Sequence, residues 1–223
     1  MTILHVNHVT KKVKNYTLLT QVELKIDEPT IVGIIGRNGS GKSVLFKTIA
    51  GLMLPTTGDV TVFDEKVGKN AFPKHFGALL DQVNFLPHFS ATQNLAYLAS
   101  IQKKIDSKRI HEVIELVGLN PNDRLPVSRY SLGMKQRLGI AQAIMEFPKL
   151  LILDEPMNGL DETGVEDVRK LILLLKSQGV TILLSSHNAE DIKHLCDVVY
   201  QMRNGELAEV EKQHIQEREL ILQ

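Results

Sequence analysis

An eight-residue glycine loop, Gly36–Ser43, constrains the fold of this chain more than any other stretch. It reads GRNGSGKS and fits the pattern G-x-x-x-x-G-K-[ST]. The apolar run 31–35 before it predicts a buried strand, and residues 44–50 after it predict a helix that ends near Gly51. A glycine loop between a strand and a helix is the arrangement of a P-loop, so we expect a site for nucleotide phosphates.

The residue types in this loop suit phosphate binding. Glycines let the backbone curl so that successive N–H groups point at the phosphates, and the following helix N-terminus adds partial positive charge. Lys42 can reach the β- and γ-phosphates, and the Ser43 hydroxyl can hold Mg²⁺. The positions predicted to bind the nucleotide in this loop are Gly36, Arg37, Asn38, Gly39, Ser40, Gly41, Lys42, Ser43 and Val44.

Composition narrows the possible function classes. The 223 residues carry 26 Lys and Arg against 26 Asp and Glu, and this charge balance disfavours a nucleic-acid partner. The sequence has no run of about 18 apolar residues that would predict a membrane-spanning helix. No signal peptide is evident at the N-terminus. Cys196 is the single cysteine, so no internal disulfide can form, and we expect a reducing cytoplasm.

The order of predicted elements indicates an α/β fold with two additions. Residues 3–10 and 22–26 alternate as half-buried strands and predict an antiparallel pair before the P-loop strand. Residues 86–145 show helical spacing instead, with Ser90 as one helix cap. We expect a nucleotide-binding α/β core from 1–80 and 148–210, a helical insert at about 83–147, and a C-terminal tail at 211–223.

Two carboxylates follow the predicted buried strand 150–153. Asp154, at a strand tip near a P-loop, can hold Mg²⁺ through water, and Glu155 can polarise a water for attack on the γ-phosphate. His187 lies just past another predicted strand, 180–184, at the sheet edge where ligands bind in open α/β folds. We therefore expect His187 to meet the γ-phosphate. The alternative is structural: a loop-capping acidic pair and an ordinary histidine.

Three further segments are open to more than one interpretation. Tyr16, in a predicted polar loop, is either an aromatic platform for an adenine ring or an ordinary loop tyrosine. Asp81 and Gln82 end the predicted strand 76–80, where a polar group commonly faces a ligand. Ser131 predicts a helix N-cap, and the free N–H groups at that helix start could also receive an anion.

Together, and in this order, the motifs resemble those of the ATP-binding-cassette (ABC) ATPases over about residues 3–210. The P-loop is followed by a glutamine-loop region, a signature, an acid pair, a D-loop at 158–161 and a switch histidine. These are Asp81-Gln82, Tyr130-Ser131-Leu132-Gly133-Met134, Asp154-Glu155, Asn158 to Asp161 and His187. The signature distinguishes the ABC ATPases from other P-loop enzymes, which lack it. Its Ser-Leu-Gly-Met-Lys-Gln-Arg form is similar to exporters of the bacitracin and bacteriocin-immunity type.

The resemblance implies a single ABC ATPase domain over residues 1–223. Its fold would be a P-loop NTPase (RecA-like) core with an N-terminal antiparallel β subdomain and an inserted α-helical subdomain. ATP and Mg²⁺ would be the cofactors. The protein would form a head-to-tail dimer in which each ATP lies between one P-loop and the partner's signature, at Ser131 and Gly133.

The resemblance also implies a role for each remaining motif. Lys42 and Ser43 would hold phosphate and Mg²⁺, with Asp154 in the outer shell of the metal. Glu155 would be the general base and His187 would contact the γ-phosphate. Asp161 would link the two sites of the dimer.

Partners and location follow from the same resemblance. The chain would power export of an antibiotic, peptide or other small molecule through a permease on another chain, from the inner face of the cell membrane. The second cassette would be the same protein or a different one, and no nucleic acid is expected. Alternatives are a soluble ATP-gated clamp on nucleic acid or protein, and a P-loop kinase or GTPase. The latter leaves the signature unexplained.

Three positions depart from the usual family pattern. Leu132 replaces the first glycine of the signature. The usual loop glutamine falls on Asp81, which leaves Gln82 one place late for a magnesium contact. Val44 stands where a threonine often follows the P-loop serine, which removes a hydroxyl near the α-phosphate. Val13 is a second candidate, beside Tyr16, for the residue that packs against the adenine ring.

Overall fold

We describe the protein from a computed structural model that covers residues 2–68, 71–80 and 84–211. Within these ranges the chain forms a four-stranded antiparallel sheet, a six-stranded and mostly parallel sheet, and six α-helices. No helix in the described part has both the length and the apolar character needed to cross a bilayer.

The four-stranded sheet comes mainly from the N-terminal part of the chain. Its strands are β1 (Leu4–Val13), β2 (Tyr16–Ile26), β4 (Thr57–Val62) and β5 (Glu65–Lys66), in the spatial order β2-β1-β4-β5. Leu4 lies opposite Ile26 on one side and Val62 on the other. The predicted antiparallel pair is confirmed. Tyr16, expected in a loop, is instead the first residue of β2, because the pairing continues out to Val13.

The six-stranded sheet forms the centre of the molecule. Its strands are β3 (Ile31–Ile35), β6 (Phe76–Leu79), β7 (Leu150–Asp154), β8 (Thr181–Ser185), β9 (Val198–Arg203) and β10 (Glu206–Val210), in the order β10-β9-β3-β8-β7-β6. Only β10 runs antiparallel to its neighbour. Parallel strands covered on both faces are apolar at nearly every position. This explains why the runs 31–35 and 150–153 show no alternation of polar residues.

Helix α1 (Lys42–Ile49) lies between the two sheets. Its residues Leu45, Phe46 and Ile49 are fully buried and share a core with Leu4 of β1 and Ile152 of β7. The opposite face of the central sheet packs against α5 (Glu162–Ser177), α6 (Ala189–Leu195) and the helical insert. The P-loop is therefore fixed at both ends, by a central strand before it and by a helix buried between two sheets after it.

The helical insert comprises α2 (Ala91–Gln102), α3 (Ser107–Leu116) and α4 (Leu132–Ile144), with a 3₁₀ turn over 127–129. Ser90 caps α2 in a reciprocal capping box with Gln93, and Asp106 rather than Ser107 caps α3. Arg109 of α3 donates to the carbonyls of Ile144 and Met145, which satisfies the end of α4. The predicted helical character of this segment is confirmed.

Candidate active site

Three polar segments meet where neighbouring parallel strands end. β3, β8 and β7 lie side by side in the central sheet. They lead respectively into the P-loop, the switch loop (residues 186–188) and the acid pair Asp154-Glu155. Because the carboxyl ends of parallel strands share one edge, residues more than a hundred positions apart come into hydrogen-bonding contact.

The P-loop curls around the Lys42 side chain. Lys42 is 8% exposed, and its Nζ donates to the carbonyl of Gly36 at 2.6 Å and of Arg37 at 3.4 Å. Both partners are neutral, so the ammonium charge remains available to a phosphate. Gly36 has φ +153°, and a Cβ there would lie 2.3 Å from the Met202 carbonyl oxygen. Only glycine fits this curl.

The turn between β9 and β10, residues 203–205, supports the P-loop from outside. The Gly205 amide donates to the Ser40 carbonyl at 2.9 Å, and the Gly205 carbonyl accepts from the Thr20 amide at 2.8 Å. This turn thus joins the P-loop to β2 of the N-terminal sheet. The turn of this hairpin therefore contacts the phosphate loop directly.

Asp154 is held between two serines. Ser43 Oγ donates to Asp154 Oδ2 at 2.9 Å, and Ser185 Oγ donates to Asp154 Oδ1 in a short hydrogen bond. A hydroxyl and a carboxylate are oxygen ligands, which Mg²⁺ prefers, and it usually completes its shell with phosphates and water. Within the described residues no group of three or more His, Cys, Asp or Glu could hold a metal by itself. The donor set therefore fits Mg²⁺ bound together with a nucleotide.

Glu155 is held in an uncommon backbone conformation. Its φ is +51°, which costs energy for a residue other than glycine and is most frequent at functional sites. The Glu155 amide donates to Ser185 Oγ at 2.9 Å, and its carbonyl accepts from Gln136 Nε2 at 3.0 Å. These two contacts on opposite sides of the peptide hold the carboxylate at the end of β7.

Glu155 and His187 form a pair. Glu155 Oε2 lies 2.8 Å from His187 Nδ1 and accepts from the His187 amide at 3.2 Å. An ionised carboxylate only accepts, so Nδ1 carries the proton and Nε2 is the ring nitrogen left for a ligand. The Glu155 side chain is 22% exposed and that of His187 is 74% exposed. Glu155 lines the adjoining cleft, and His187 is joined to that cleft through its contact with Glu155.

An open cleft of about 1070 Å³ lies over these groups. Its walls combine the P-loop, the acid pair, the start of α4, the D-loop and the β9–β10 turn. The lining residues are Thr17, Leu18, Arg37, Asn38, Gly39, Gly41, Lys42, Ser43, Val44, Leu132, Gln136, Asp154, Glu155, Asn158, Gly159, Asn204 and Gly205. A cleft of this size holds a molecule as large as a nucleotide.

The signature starts helix α4 on one wall of the cleft. Ser131 is the N-cap and accepts from the Met134 amide at 3.2 Å, as the sequence predicted. Leu132 is 58% exposed and lies against Gly159 of the D-loop, where a Cβ would meet its side chain at 2.5 Å. The residue that departs from the family pattern therefore packs on another motif of the same chain.

Some predicted site residues lie apart from this cleft. Tyr16 is 74% exposed, and its neighbours Thr17 and Leu18 line the cleft instead. Asp161 caps α5 by accepting from the Gly164 amide at 3.0 Å. Gly36, Ser40, Ser131, Gly133 and His187 are not among the lining residues. Asp81 and Gln82 lie outside the described residues.

Two residues that hold the acid pair in place were not predicted from the sequence. Ser185 bridges Asp154 and the Glu155 amide, and Gln136 holds the Glu155 carbonyl. The sequence could have indicated Ser185, because it is the last residue of an apolar strand and lies at the sheet edge where ligands bind. The position of Gln136 depends on how the insert packs against the core, which no local pattern indicates.

Comparison with protein families decides the classification. The family model described as "ABC transporter" matches residues 19–158, more than half of the chain. This chain belongs to the ABC transporter family. The matched segment includes the P-loop, the signature and the acid pair, so this ABC protein binds and hydrolyses ATP as a transporter subunit.

Relatives of this ABC protein cover nearly its whole length. The ABC transporter ATP-binding protein YybJ of Bacillus subtilis (strain 168) is 42% identical over 94% of this chain and 97% of its own length. The bacitracin transport ATP-binding protein BcrA of Bacillus licheniformis is 37% identical, over 93% and 69% respectively. The lantibiotic transport ATP-binding protein SrtF of Streptococcus pyogenes is 34% identical, over 92% and 89%. These names fit the transporter hypothesis and not the soluble clamp.

Solved cassettes share the fold. A post-hydrolysis dimer of the ATP-binding cassette MJ0796, bound to ADP and Pi, matches with a TM-score of 0.84 at 24% identity, over 94% of this chain and 98% of that one. A second dimeric structure of MJ0796, titled a bacterial ABC transporter cassette, matches with a TM-score of 0.83 at 25% identity over the same shares. The expected P-loop core with a β subdomain and a helical insert is confirmed.

Proposed function

We propose that this chain is the ATP-hydrolysing subunit of an exporter for an antibiotic or a peptide, with the permease on another chain. The observation that carries the proposal is the similarity to the bacitracin and lantibiotic transport proteins, along with the P-loop, the acid pair and the switch histidine in this sequence. We further infer that residues 1–223 act as one ATPase domain, located in the cytoplasm against the inner face of the cell membrane.

In this proposal the P-loop binds the phosphates of ATP. Its backbone amides and Lys42 surround the β- and γ-phosphates, and the carbonyl contacts of Lys42 hold the ammonium in place before ATP arrives. Ser43 and Asp154 would hold Mg²⁺, which neutralises phosphate charge when bound. Arg37 and Val44 also line the cleft and would contact the nucleotide.

Glu155 is the proposed general base. Its carboxylate accepts a proton from a water molecule as that water attacks the γ-phosphate. His187 donates to the same carboxylate through Nδ1, which fixes the direction of the carboxylate. Contact with the γ-phosphate would require the imidazolium form, in which Nε2 also carries a proton and donates to a phosphate oxygen. The backbone contacts of Glu155 with Ser185 and Gln136 favour this role, because they hold its carboxylate at the end of β7.

Assembly completes the proposed site. ATP bound to one protomer would meet Ser131 and Gly133 of its partner, which is a second copy or a related cassette, while Asp161 links the two sites. Tyr16, which is exposed and precedes the cleft residue Thr17, is the proposed adenine platform. The exposed apolar side chains Tyr97 and Ile101, one turn apart on α2, offer contact surface for the permease.

The experiment that tests the proposed chemistry is Glu155→Gln. We expect turnover to fall by about a hundredfold or more, because the amide cannot act as a base, while ATP binding is retained. The readouts are phosphate release and equilibrium dialysis with ATP. Glu115→Gln, an exposed carboxylate on α3, is the matched control and should hydrolyse ATP at the native rate. Hydrolysis by Glu155→Gln at that rate would rule out the base assignment.

The export role is tested by isolation from gently solubilised membranes. We expect a multi-span membrane protein to accompany the chain in stoichiometric amount. Recovery with soluble proteins or RNA alone would contradict the proposal.

A further inference from the structure

The switch loop carries His187 between β8 and α6. Because the imidazole is 74% exposed, packing contributes little to its position. Hydrogen bonds on both sides fix the loop instead. The His187 amide donates to Glu155 at 3.2 Å, and the Asn188 amide donates to Ser186 Oγ at 3.0 Å. The location of the Ser186 hydroxyl therefore sets the course of the loop on which His187 sits.

A buried ion pair holds that hydroxyl. Asp191, on α6, is 1% exposed. Its Oδ1 accepts from Arg169 of α5, at 2.9 Å from Nε and 2.6 Å from Nη2, and its Oδ2 accepts from Ser186 Oγ at 2.8 Å. Both carboxylate oxygens are thus occupied. Arg169 neutralises the buried carboxylate, and the carboxylate in turn fixes the position of the Ser186 hydroxyl.

Arg169 is itself tied to the body of α5. Its Nη1 donates to Glu166 one turn earlier, at 2.6 Å. The same helix begins at the N-cap Asp161, which is the last residue of the D-loop. One helix therefore carries both the D-loop cap and the arginine that reaches, through Asp191 and Ser186, to the switch loop.

We propose that Arg169 and Asp191 are positioning residues for ATP hydrolysis, and that they act through Ser186 to hold His187 against Glu155. This inference rests on the proposed function, since it takes His187 to be a catalytic group. Neither Arg169 nor Asp191 lines the cleft, and they form an ion pair with each other, so their contact with the catalytic groups runs through Ser186 and the switch loop.

Ser186→Ala tests the inference most directly, because it cuts the link to the loop and leaves the Arg169–Asp191 pair in place. In steady-state ATP hydrolysis by the full chain, we expect kcat to fall about tenfold and KM for ATP to change by less than about twofold. Ser186→Thr keeps a hydroxyl and should restore kcat to within about threefold of the native value. Ser177→Ala removes a hydroxyl that donates to Leu174 within α5, and as the matched control it should leave kcat unchanged.

Two further readouts separate positioning from a general loss of stability. In a His187→Ala background, Ser186→Ala should lower kcat little further, because residues that act as a unit are non-additive. In ¹³C-labelled protein, Ser186→Ala should shift the His187 ring resonance toward that of a free imidazole, while the resonance of His111 on α3 stays in place.

The outcomes distinguish this inference from the proposed function. A native kcat and an unshifted His187 resonance in Ser186→Ala would overturn the positioning role, even where Glu155→Gln abolishes turnover. Equal fold-losses with and without His187 would also overturn it. Native turnover by His187→Ala would instead refute the catalytic role of that histidine, and this inference with it.

Discussion

Replacing Gly205 by alanine would test how the β9–β10 turn supports the P-loop. Gly205 has φ +83°, and an added Cβ would lie 2.7 Å from the Leu18 carbonyl oxygen and 3.2 Å from the Leu19 Cα. Both neighbours are backbone atoms, so neither can rotate away. The turn must move, and with it the hydrogen bonds that Gly205 makes to Ser40 and Thr20.

The expected cost follows from these contacts. A left-handed backbone costs alanine about 1–2 kcal/mol, and weakening two hydrogen bonds costs about 1 kcal/mol each. The sum of about 3–4 kcal/mol corresponds to a fall in Tm of about 6–16 °C for a chain of this size. Because Ser40 belongs to the P-loop, we also expect ATP affinity to weaken by about tenfold, which is about 1.4 kcal/mol.

The assays are thermal unfolding and ATP titration by calorimetry. Gly179→Ala is a matched control, because Gly179 has φ +85° but no atom within 4 Å of an added Cβ. It should lose only the backbone contribution of about 1–2 kcal/mol, with a Tm fall of about 2–8 °C, and bind ATP as the native protein does. Equal Tm losses in the two variants, or native ATP affinity in Gly205→Ala, would refute the reasoning.

Two further predictions concern stability. Burial raises the pKa of Asp197, but hydrogen bonds from the Ile31 amide, Lys176 and Thr30 outweigh burial and hold the pKa below its usual range. The Tm advantage of the native protein over Asp197→Asn should therefore be full above about pH 4 and disappear as the pH falls through the lowered pKa; a difference independent of pH would contradict this. Phe46→Ala, in the core between the sheets, should lower the free energy of unfolding by about 3–5 kcal/mol, whereas Phe72→Ala, at a 64% exposed side chain, should change it little; urea unfolding measures both, and similar losses would show that burial is not the cause.

Much of the fold was predictable because its signals are local. Apolar runs, glycine stops and capping residues such as Ser90 and Ser131 depend only on neighbours in the chain, and the structure bears them out. The carboxyl ends of parallel strands share one edge of a sheet, and this rule likewise predicts that Asp154 and His187 lie at the edge that carries the P-loop.

The remainder of the site depends on contacts between distant elements. Gln136 reaches Glu155 only because the insert docks on the core, and Gly205 reaches Ser40 only because β9 lies beside β3. Arg169 and Asp191 look like ordinary helix-surface charges in the sequence, yet they pair in the interior. Helical spacing alone does not distinguish a solvent-facing charge from one that faces another helix.

The cap of α4 has a consequence for the chemistry of the signature. Ser131 Oγ accepts a hydrogen bond from the Met134 amide. This contact occupies one lone pair of the oxygen, and the hydroxyl proton is still able to donate. A serine here can donate that proton to an incoming anion without uncapping its helix. An aspartate would cap equally well, but it has no proton to give and its charge would repel a phosphate. A single oxygen could thus accept from the helix and donate to a ligand at the same time.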